Sequence, residues 1–195
     1  MADNGDWRSR RWDATHRRIY DTAMRLFQEK GFEQVSIGEL VAAAEVSVPT
    51  FYAHFPSKEH VVMQLPTAEE IAALIATQPA DLPLGERLRQ VAPAYFASWT
   101  PEVREATLAR WRLIAATPSL RMRAATFERT TANYVADAIP AASGGALSSA
   151  EAIVVNAYLA AYTAALIAWG ECNGERELEE IVSEAFDALR GGTGT

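Results

Sequence analysis

Two short helical patterns separated by a tight turn constrain this chain more than any other feature of its sequence. Ser36 and Glu39 have the spacing of a capping box, and apolar residues follow at the helical positions 37, 40, 41 and 44. Ser47 can cap a second helix, with Pro49 in the first turn, where a missing N–H is tolerated. Because only two residues separate the patterns, residues 36–58 predict a helix-turn-helix.

The second helix has an apolar side and a polar side. Phe51 and Phe55 are four residues apart and are expected to face inward, which leaves Thr50, Tyr52 and His54 on the other faces. These side chains can hydrogen-bond phosphates and base edges, so the helix is a candidate recognition helix.

Residues 46–59, with the sequence VSVPTFYAHFPSKE, resemble the signature of TetR-type transcriptional repressors. The likeness extends upstream through Ile19, Ala23, Leu26, Phe27, Gly31 and Phe32, so motifs carry it over the first 60 residues and architecture alone beyond them. It implies an all-α fold, with an N-terminal three-helix helix-turn-helix head and a C-terminal helical domain for ligand binding and dimerisation. Roughly nine helices are expected from the patterns.

Domain boundaries follow from these patterns. We predict a flexible basic arm at residues 1–11, a helix-turn-helix domain at 12–57, a ligand-binding and dimerisation domain at 58–190, and a flexible tail at 191–195. Asp13 is expected to cap the first long helix, which ends before Gly31. Later helices are expected at 68–76, 86–99, 101–116, 118–139, 148–172 and 175–190, with a loop at 140–145. A break near Pro66 is either the hinge of a switch or a simple division between two helices.

Charge is unevenly distributed along the chain. The formal net charge is −7, yet residues 8–18 contain five arginines and one acidic residue. These arginines form either an ordinary solvated terminus or a contact with a phosphate backbone, and the adjacent helix-turn-helix favours the second interpretation.

DNA contacts are carried over from the family only where residues match. The family often has Lys-Gly where this chain has Val48 and Pro49, so these two are expected to contact thymine methyl groups. We predict the following DNA-binding residues: Arg10, Arg11, Ser36, Ser47, Val48, Pro49, Thr50, Tyr52, His54 and Lys58.

Aromatic and arginine side chains concentrate in the middle of the chain. They form either the core and surface of a helical domain or an apolar cavity with a basic lip, which suits a ligand with an apolar body and an anionic end. Candidate ligand-binding residues are Tyr95, Trp99, Trp111, Arg112, Phe127 and Tyr134. Residues 110–121 also resemble the regulators of mycofactocin systems, which implies an acyl-CoA-like effector as one candidate.

The last two helical patterns are the candidate dimer interface. One is apolar nearly all round with a stripe of alanines, and the other is amphipathic, so they either meet a second copy across a twofold axis or close the core of the chain itself. We predict the interface residues Ala157, Ala161, Ala165, Leu178, Ile181, Val182 and Phe186.

Several classes of protein are disfavoured. A single cysteine, Cys172, excludes an internal disulfide, and the polar start of the chain does not resemble a signal peptide. Residues 150–169 are apolar and just long enough for a membrane span, but Glu151 and Asn156 within them favour a buried helix. Motifs for a nucleophile, a metal or a nucleotide are missing, so we expect no enzyme, no cofactor and no membrane partner, and a cytoplasmic location.

The sequence therefore predicts a ligand-responsive transcriptional regulator. It would bind a palindromic, double-stranded DNA operator as a homodimer and release it when a small, largely apolar effector binds. The alternative is a helical ligand-binding or adaptor protein in which the helix-turn-helix is only structural. The sequence does not separate a repressor from an activator.

Overall fold

The structure of the chain, a computed structural model, describes residues 6–64, 67–143 and 147–190. These residues form ten α-helices and one short 3-10 turn, with no strand in the described ranges, which confirms the predicted all-α fold. The chain divides into two compact units, Met1–Gln64 and Leu65–Thr195. The boundary predicted between residues 57 and 58 falls inside the first unit.

The amino-terminal unit contains four helices. They are α1 (Asp6–Lys30), α2 (Ile37–Ala43), α3 (Val48–His54) and α4 (Lys58–Val62), with the 3-10 turn Phe32–Gln34 between α1 and α2. Their apolar positions, spaced for one helix face, are buried as expected. The most deeply buried side chains of this unit are Ile19, Ala23, Phe27, Val35, Leu40, Phe51, Val61 and Val62.

Helix α1 begins earlier than the sequence indicates. The predicted arm is wrong over residues 6–11, which are helical, and Asp13 lies inside the helix instead of capping it. The apolar periodicity starts only near Ile19, but Trp12 and His16 pack on residues of α3 and its C-terminus and give the earlier turns a partner. Residues 1–5 lie outside the described part of the chain.

The turn between α2 and α3 is a Schellman motif with an unusual residue. The Val46 N–H donates to the Val41 carbonyl (3.0 Å), and the Glu45 N–H donates to the Ala42 carbonyl (3.3 Å). Glu45 has φ 52°, in the left-handed region that favours glycine. The two hydrogen bonds hold the turn that sets α3 against α2.

The carboxy-terminal unit contains six helices, which are α5 (Ala68–Ala76), α6 (Leu84–Ala97), α7 (Pro101–Ala116), α8 (Pro118–Ser143), α9 (Ser149–Glu171) and α10 (Leu178–Leu189). Helix α9 is central and packs against α6, α7, α8 and α10. At Gly170 a Cβ atom would lie 2.4 Å from the Trp111 carbonyl oxygen, so glycine lets the backbones of α7 and α9 approach closely.

Helix boundaries in this unit differ from several predictions. Helix α8 continues through residue 140 to Ser143, so the predicted loop is wrong over residues 140–143, because a proline can kink a helix without ending it. The rest of that loop at 144–145, the break at Pro66 and the tail at 191–195 lie outside the described residues. The predicted capping box of Ser148 and Glu151 is present, and a second one joins Thr67 and Glu70.

Helix α9 is long and apolar enough to cross a membrane when judged by length and composition alone. Core helices of soluble proteins meet the same criteria. Here Val155, Leu166 and Trp169 of α9 are buried in the core of the carboxy-terminal unit, so part of its apolar surface packs inside the protein.

Candidate nucleic-acid interface

Helix α3 has one anchored side and one open side. Phe51 is fully buried and Phe55 is 3% exposed, which fixes the helix on the core of the amino-terminal unit. On the open side Val48 is 43% exposed, Tyr52 is 52% exposed, and Pro49 is also exposed. Apolar side chains presented in this way can contact base edges, including thymine methyl groups.

Serine caps hold the starts of both helices of the motif. The Ser47 hydroxyl accepts from the Thr50 N–H (3.1 Å) and lies 2.7 Å from the Thr50 hydroxyl, as predicted for a cap. Ser36 accepts from the Glu39 N–H (3.1 Å), but the Glu39 carboxylate accepts from Lys30 Nζ (2.5 Å). The predicted capping box at Ser36 is therefore only half correct, because the carboxylate joins an ion pair instead.

His54 does not extend freely from α3. Its ring stacks on Trp12 of α1, with ring centroids 3.7 Å apart, and its Nδ1 is buried without a hydrogen-bond partner in the described ranges. His16 stacks on Phe55 (4.2 Å) and lies 5.6 Å from His54. Burial lowers the pKa of both histidines, and the neighbouring His16 lowers the pKa of His54 further. His54 thus packs against α1, and its direct contact with DNA stays a prediction.

Lys58 is likewise turned inward. Its Nζ donates to the Phe32 carbonyl (2.7 Å) and the Val35 carbonyl (2.9 Å), and lies 4.2 Å from the centre of the Phe32 ring. Two of its three donors are therefore used inside the unit. Lys58 thus ties the start of α4 to the connection between α1 and α2, and its contact with a DNA phosphate stays a prediction.

The arginines before the core of α1 lie on a helix and are exposed. At about 100° per residue, positions 11 and 18 fall near one line of the helix, positions 10 and 17 lie about 100° to one side of it, and position 8 lies about 70° to the other side. The stack between Trp12 and His54 places this basic stretch, with Arg10 and Arg11, beside the C-terminal end of α3. The arginines of α1 and the open side of α3 therefore both lie in the amino-terminal unit.

The predicted ligand-binding residues belong to the carboxy-terminal unit. Tyr95, Trp99, Trp111 and Tyr134 are half-buried and pack against its main core cluster, and the rings of Tyr95 and Trp99 meet edge to face at 5.4 Å. Arg112 donates to the Asn173 carbonyl (2.9 Å), which ties α7 to the turn after α9. Phe127 is half-buried on α8. Sequence reasoning missed Tyr162 of α9, whose pKa is raised mainly by burial and further by the neighbouring Tyr95.

Most of the predicted dimer residues are core residues of the protomer. Ala165, Leu178, Ile181, Val182 and Phe186 are at most 7% exposed within a single chain, so little of their surface is left for a second copy, and their role in a dimer stays a prediction. They close the core of the carboxy-terminal unit, which was the alternative that the pattern left open. Ala157 and Ala161 are half-buried. A different face of α9 is open, which we call the outer α9 face: Ile153, Asn156, Ala160 and Ala164.

A helix-turn-helix whose second helix is open on one side, flanked by an arginine-rich helix, defines a DNA-binding transcriptional regulator. Family models agree with this class. Residues 19–65 match the model described as bacterial regulatory proteins of the tetR family, and residues 82–194 match the MftR C-terminal domain. The chain belongs to the TetR family of bacterial regulators and carries an MftR-type C-terminal domain.

Curated relatives are also transcriptional regulators. The chain is 47% identical over 47 residues to the regulator EthR of Mycolicibacterium smegmatis, over 24% of this chain and 22% of that protein. It is 30% identical over 122 residues to TcmR of Streptomyces glaucescens, over 58% of this chain and 53% of that protein. The chain thus spans about half or less of the length of these relatives.

Solved structures show the same fold. A TetR-family regulator of Syntrophomonas wolfei superposes with a TM-score of 0.58 at 20% identity, over 94% of this chain and 98% of that one. A regulator of Streptomyces coelicolor gives a TM-score of 0.51 at 17% identity, over 92% of this chain and 80% of that one. At these identities the likeness concerns the fold alone, whereas the family model and the curated relatives are those of transcriptional regulators.

Proposed function

We propose that this regulator is a repressor that binds a palindromic operator as a homodimer in the cytoplasm and releases it when an effector binds in the carboxy-terminal unit. The open side of α3 carries the proposal. Val48, Pro49 and Tyr52 are exposed there, while Phe51 and Phe55 hold the helix from behind. An apolar and aromatic surface of this kind is costly in water and is suited to the major groove.

Phosphate contacts in this proposal come mainly from α1. Arg10 and Arg11 supply positive charge, and Ser36, Ser47 and Thr50 add hydroxyl groups at helix starts. Because Lys58 and His54 are engaged inside the unit, the share of α1 in the electrostatic part of the affinity should be large.

The effector part of the proposal rests on the aromatic shell of the carboxy-terminal unit. Phe96 and Tyr162 stack with ring centroids 6.1 Å apart, and Tyr95 and Trp99 adjoin Phe96. Such a shell accepts an apolar ligand body. An acyl-CoA-like molecule is one candidate. Any effector must bind the state that does not bind DNA more tightly than the state that does.

Dimer formation is proposed through the outer α9 face. Ile153 is 69% exposed, and the small residues Ala160 and Ala164 continue the same face at helical spacing. Small side chains let a second helix approach closely, and a twofold axis would pair this face with itself. A palindromic operator needs two heads that are one or more helical turns apart, about 34 Å for one turn.

Fluorescence anisotropy on the DNA upstream of the gene tests the DNA-binding proposal. Tyr52→Ala should weaken binding roughly five- to tenfold, because it removes one hydrogen bond and a ring contact. Gln28→Ala, at an exposed position of α1 away from α3, is the matched control and should bind like the wild type. Equal affinities for wild type and Tyr52→Ala would contradict the proposed role of α3.

The same assay separates a regulator from an adaptor protein. A helix-turn-helix with a purely structural role would give no salt-dependent retention on DNA, whereas the proposed interface requires affinity to fall steeply with salt. Adding palmitoyl-CoA, with free CoA as the control, then tests whether this candidate effector releases the operator. Release that also occurs with free CoA would exclude recognition of the acyl chain.

A further inference from the structure

Arg87 carries a buried donor, its Nε, that the packing of the described carboxy-terminal residues leaves without an acceptor. It lies in the first turn of α6, is 5% exposed, and its Nε has no hydrogen-bond partner among the described residues. An ionised group without a partner is costly to bury, so buried arginines are normally paired. Other arginines of this unit do have protein acceptors: Arg89, Arg104, Arg112, Arg121 and Arg176.

The start of α6 offers further donors. This 14-residue helix is preceded by Pro83, which provides no side-chain cap, and the Pro83 carbonyl accepts from the N–H groups of Glu86 and Arg87. The N–H groups of Leu84 and Gly85 come before the first helical hydrogen bond and point out of the helix end. Helical side chains lean toward the N-terminus, so Arg87 leans toward the same end as these amides.

We propose that Arg87 and the start of α6 bind an oxyanion, the carboxylate or phosphate group of the effector. The planar guanidinium forms bidentate hydrogen bonds to either group, and a helix start adds N–H donors and a positive dipole end. An acceptor supplied by a ligand would satisfy the buried Nε donor, which has no partner among the described residues. The identity of the ligand as an effector rests on the proposed function, but the binding site itself is testable without DNA.

Glu86 is the acidic residue nearest in sequence to this site. Its carboxylate accepts from Gln90 Nε2 (3.1 Å), one turn further along the helix. Successive residues are about 100° apart around a helix, so the side chains of Glu86 and Arg87 leave the helix in different directions. Glu86 also lines the shallow groove between α6 and α10, together with Arg89 and Ser183. It therefore does not occupy the position that the oxyanion would take.

Thermal unfolding of the full chain tests the site. The probes are sodium decanoate, with 1-decanol as the neutral match, and sodium phosphate, with sodium chloride at equal ionic strength. At least one oxyanion should raise the melting temperature of the wild type progressively with concentration, by about 5 °C at 100-fold excess over Kd. A response to decanoate only assigns a carboxylate on an apolar chain, and a response to phosphate assigns a phosphate group.

Two variants make the test specific. Arg87→Met should abolish the oxyanion-dependent rise while melting at or above the wild-type temperature without the probe, because the buried donor without an acceptor is gone. Arg123→Met changes an exposed arginine of the same unit and should keep the full rise. The proposal is overturned if neither oxyanion stabilises the wild type, if Arg87→Met keeps the rise, or if Arg87→Met alone melts several degrees lower without the probe.

Failure of this site and failure of the proposed function are distinguishable. If decanoate or phosphate stabilises the chain through Arg87 but leaves operator affinity unchanged, the oxyanion site stands and that ligand is not the effector. If operator affinity responds to a ligand equally in wild type and Arg87→Met, the proposed function stands and the inference about Arg87 is wrong.

Discussion

Lys58 has the positive charge of a phosphate contact, but in the structure it stabilises the fold of the amino-terminal unit. Its ammonium group joins the start of α4 to two carbonyls, those of Phe32 and Val35, in the connection between α1 and α2. Both bonds have a charged donor, and such bonds are stronger than those between neutral groups. The side chain therefore fixes the frame on which α2 and α3 are mounted.

Lys58→Met should lower the free energy of unfolding by about 1–3 kcal/mol, because hydrogen bonds to a charged donor are lost while the length of the side chain is kept. Urea denaturation measures the change. Lys30→Met is the matched control, since Lys30 makes an exposed ion pair with Glu39, and such a pair contributes only about 0.2–1 kcal/mol. If both variants lose the same stability and only Lys58→Met reduces the salt dependence of DNA binding, Lys58 is a phosphate contact after all.

At the scale of elements, the turns on either side of α2 depend on two left-handed residues. Glu45 has φ 52° in the turn before α3, and Gly31 has φ 86° and ψ 144° after α1. A Cβ atom on Gly31 would meet no atom within 4 Å, so only its backbone conformation requires glycine. Glu45, by contrast, has a side chain and is strained at its positive φ, a backbone conformation that glycine adopts without strain.

Substitutions at these two positions should have opposite effects. Glu45→Gly should stabilise the chain by about 0.5–1 kcal/mol. This is the strain that glycine relieves at a left-handed position, minus the free energy lost because glycine makes the unfolded chain more flexible. Gly31→Ala should destabilise it by about 1–3 kcal/mol. Chemical denaturation at equal protein concentration measures both. A loss of stability in Glu45→Gly would mean that the glutamate side chain makes a contact that outweighs the strain.

The elements also show which parts of the structure the sequence could predict. Local signals were sufficient for the Ser47 cap, the capping box of Ser148 and the anchoring of Phe51, because spacing alone determines them. The start of α1 was missed, since its partner is a ring on α3 that is 42 residues away in sequence, from Trp12 to His54. The roles of Lys58 and Arg87 were missed for the same reason, because polarity does not reveal whether a side chain finds an acceptor inside the fold.

At the scale of the whole molecule, the same limit applies to the prediction of the dimer interface. An amphipathic pattern shows that α10 buries one face, but it does not show whether the neighbour is the same chain or a second copy. Helix α10 buries Leu178 and Phe186 within the protomer. The face that stays open to solvent is the outer α9 face. It is not the strongest apolar stripe in the sequence, so the hydrophobic pattern does not point to it.

Light scattering at micromolar concentration tests that face. The wild type should have twice the chain mass of 21.3 kDa, and Ile153→Glu should shift the protein toward the single-chain mass, because two charges would meet across the proposed twofold axis. Met122→Glu, at another highly exposed apolar residue, is the control and should stay dimeric. A dimer that survives Ile153→Glu unchanged would place the interface elsewhere.

The stack of Trp12 on His54 also determines how this regulator could be rebuilt. Chimeric repressors are made by joining the DNA-reading part of one protein to the sensing part of another. A graft limited to the two helices of the motif would leave His54 facing a foreign first helix, with Nδ1 buried and no tryptophan ring beside it. The transferable cassette is therefore the whole stretch from Asp6 to Gln64, first helix included, with the joint placed after Gln64.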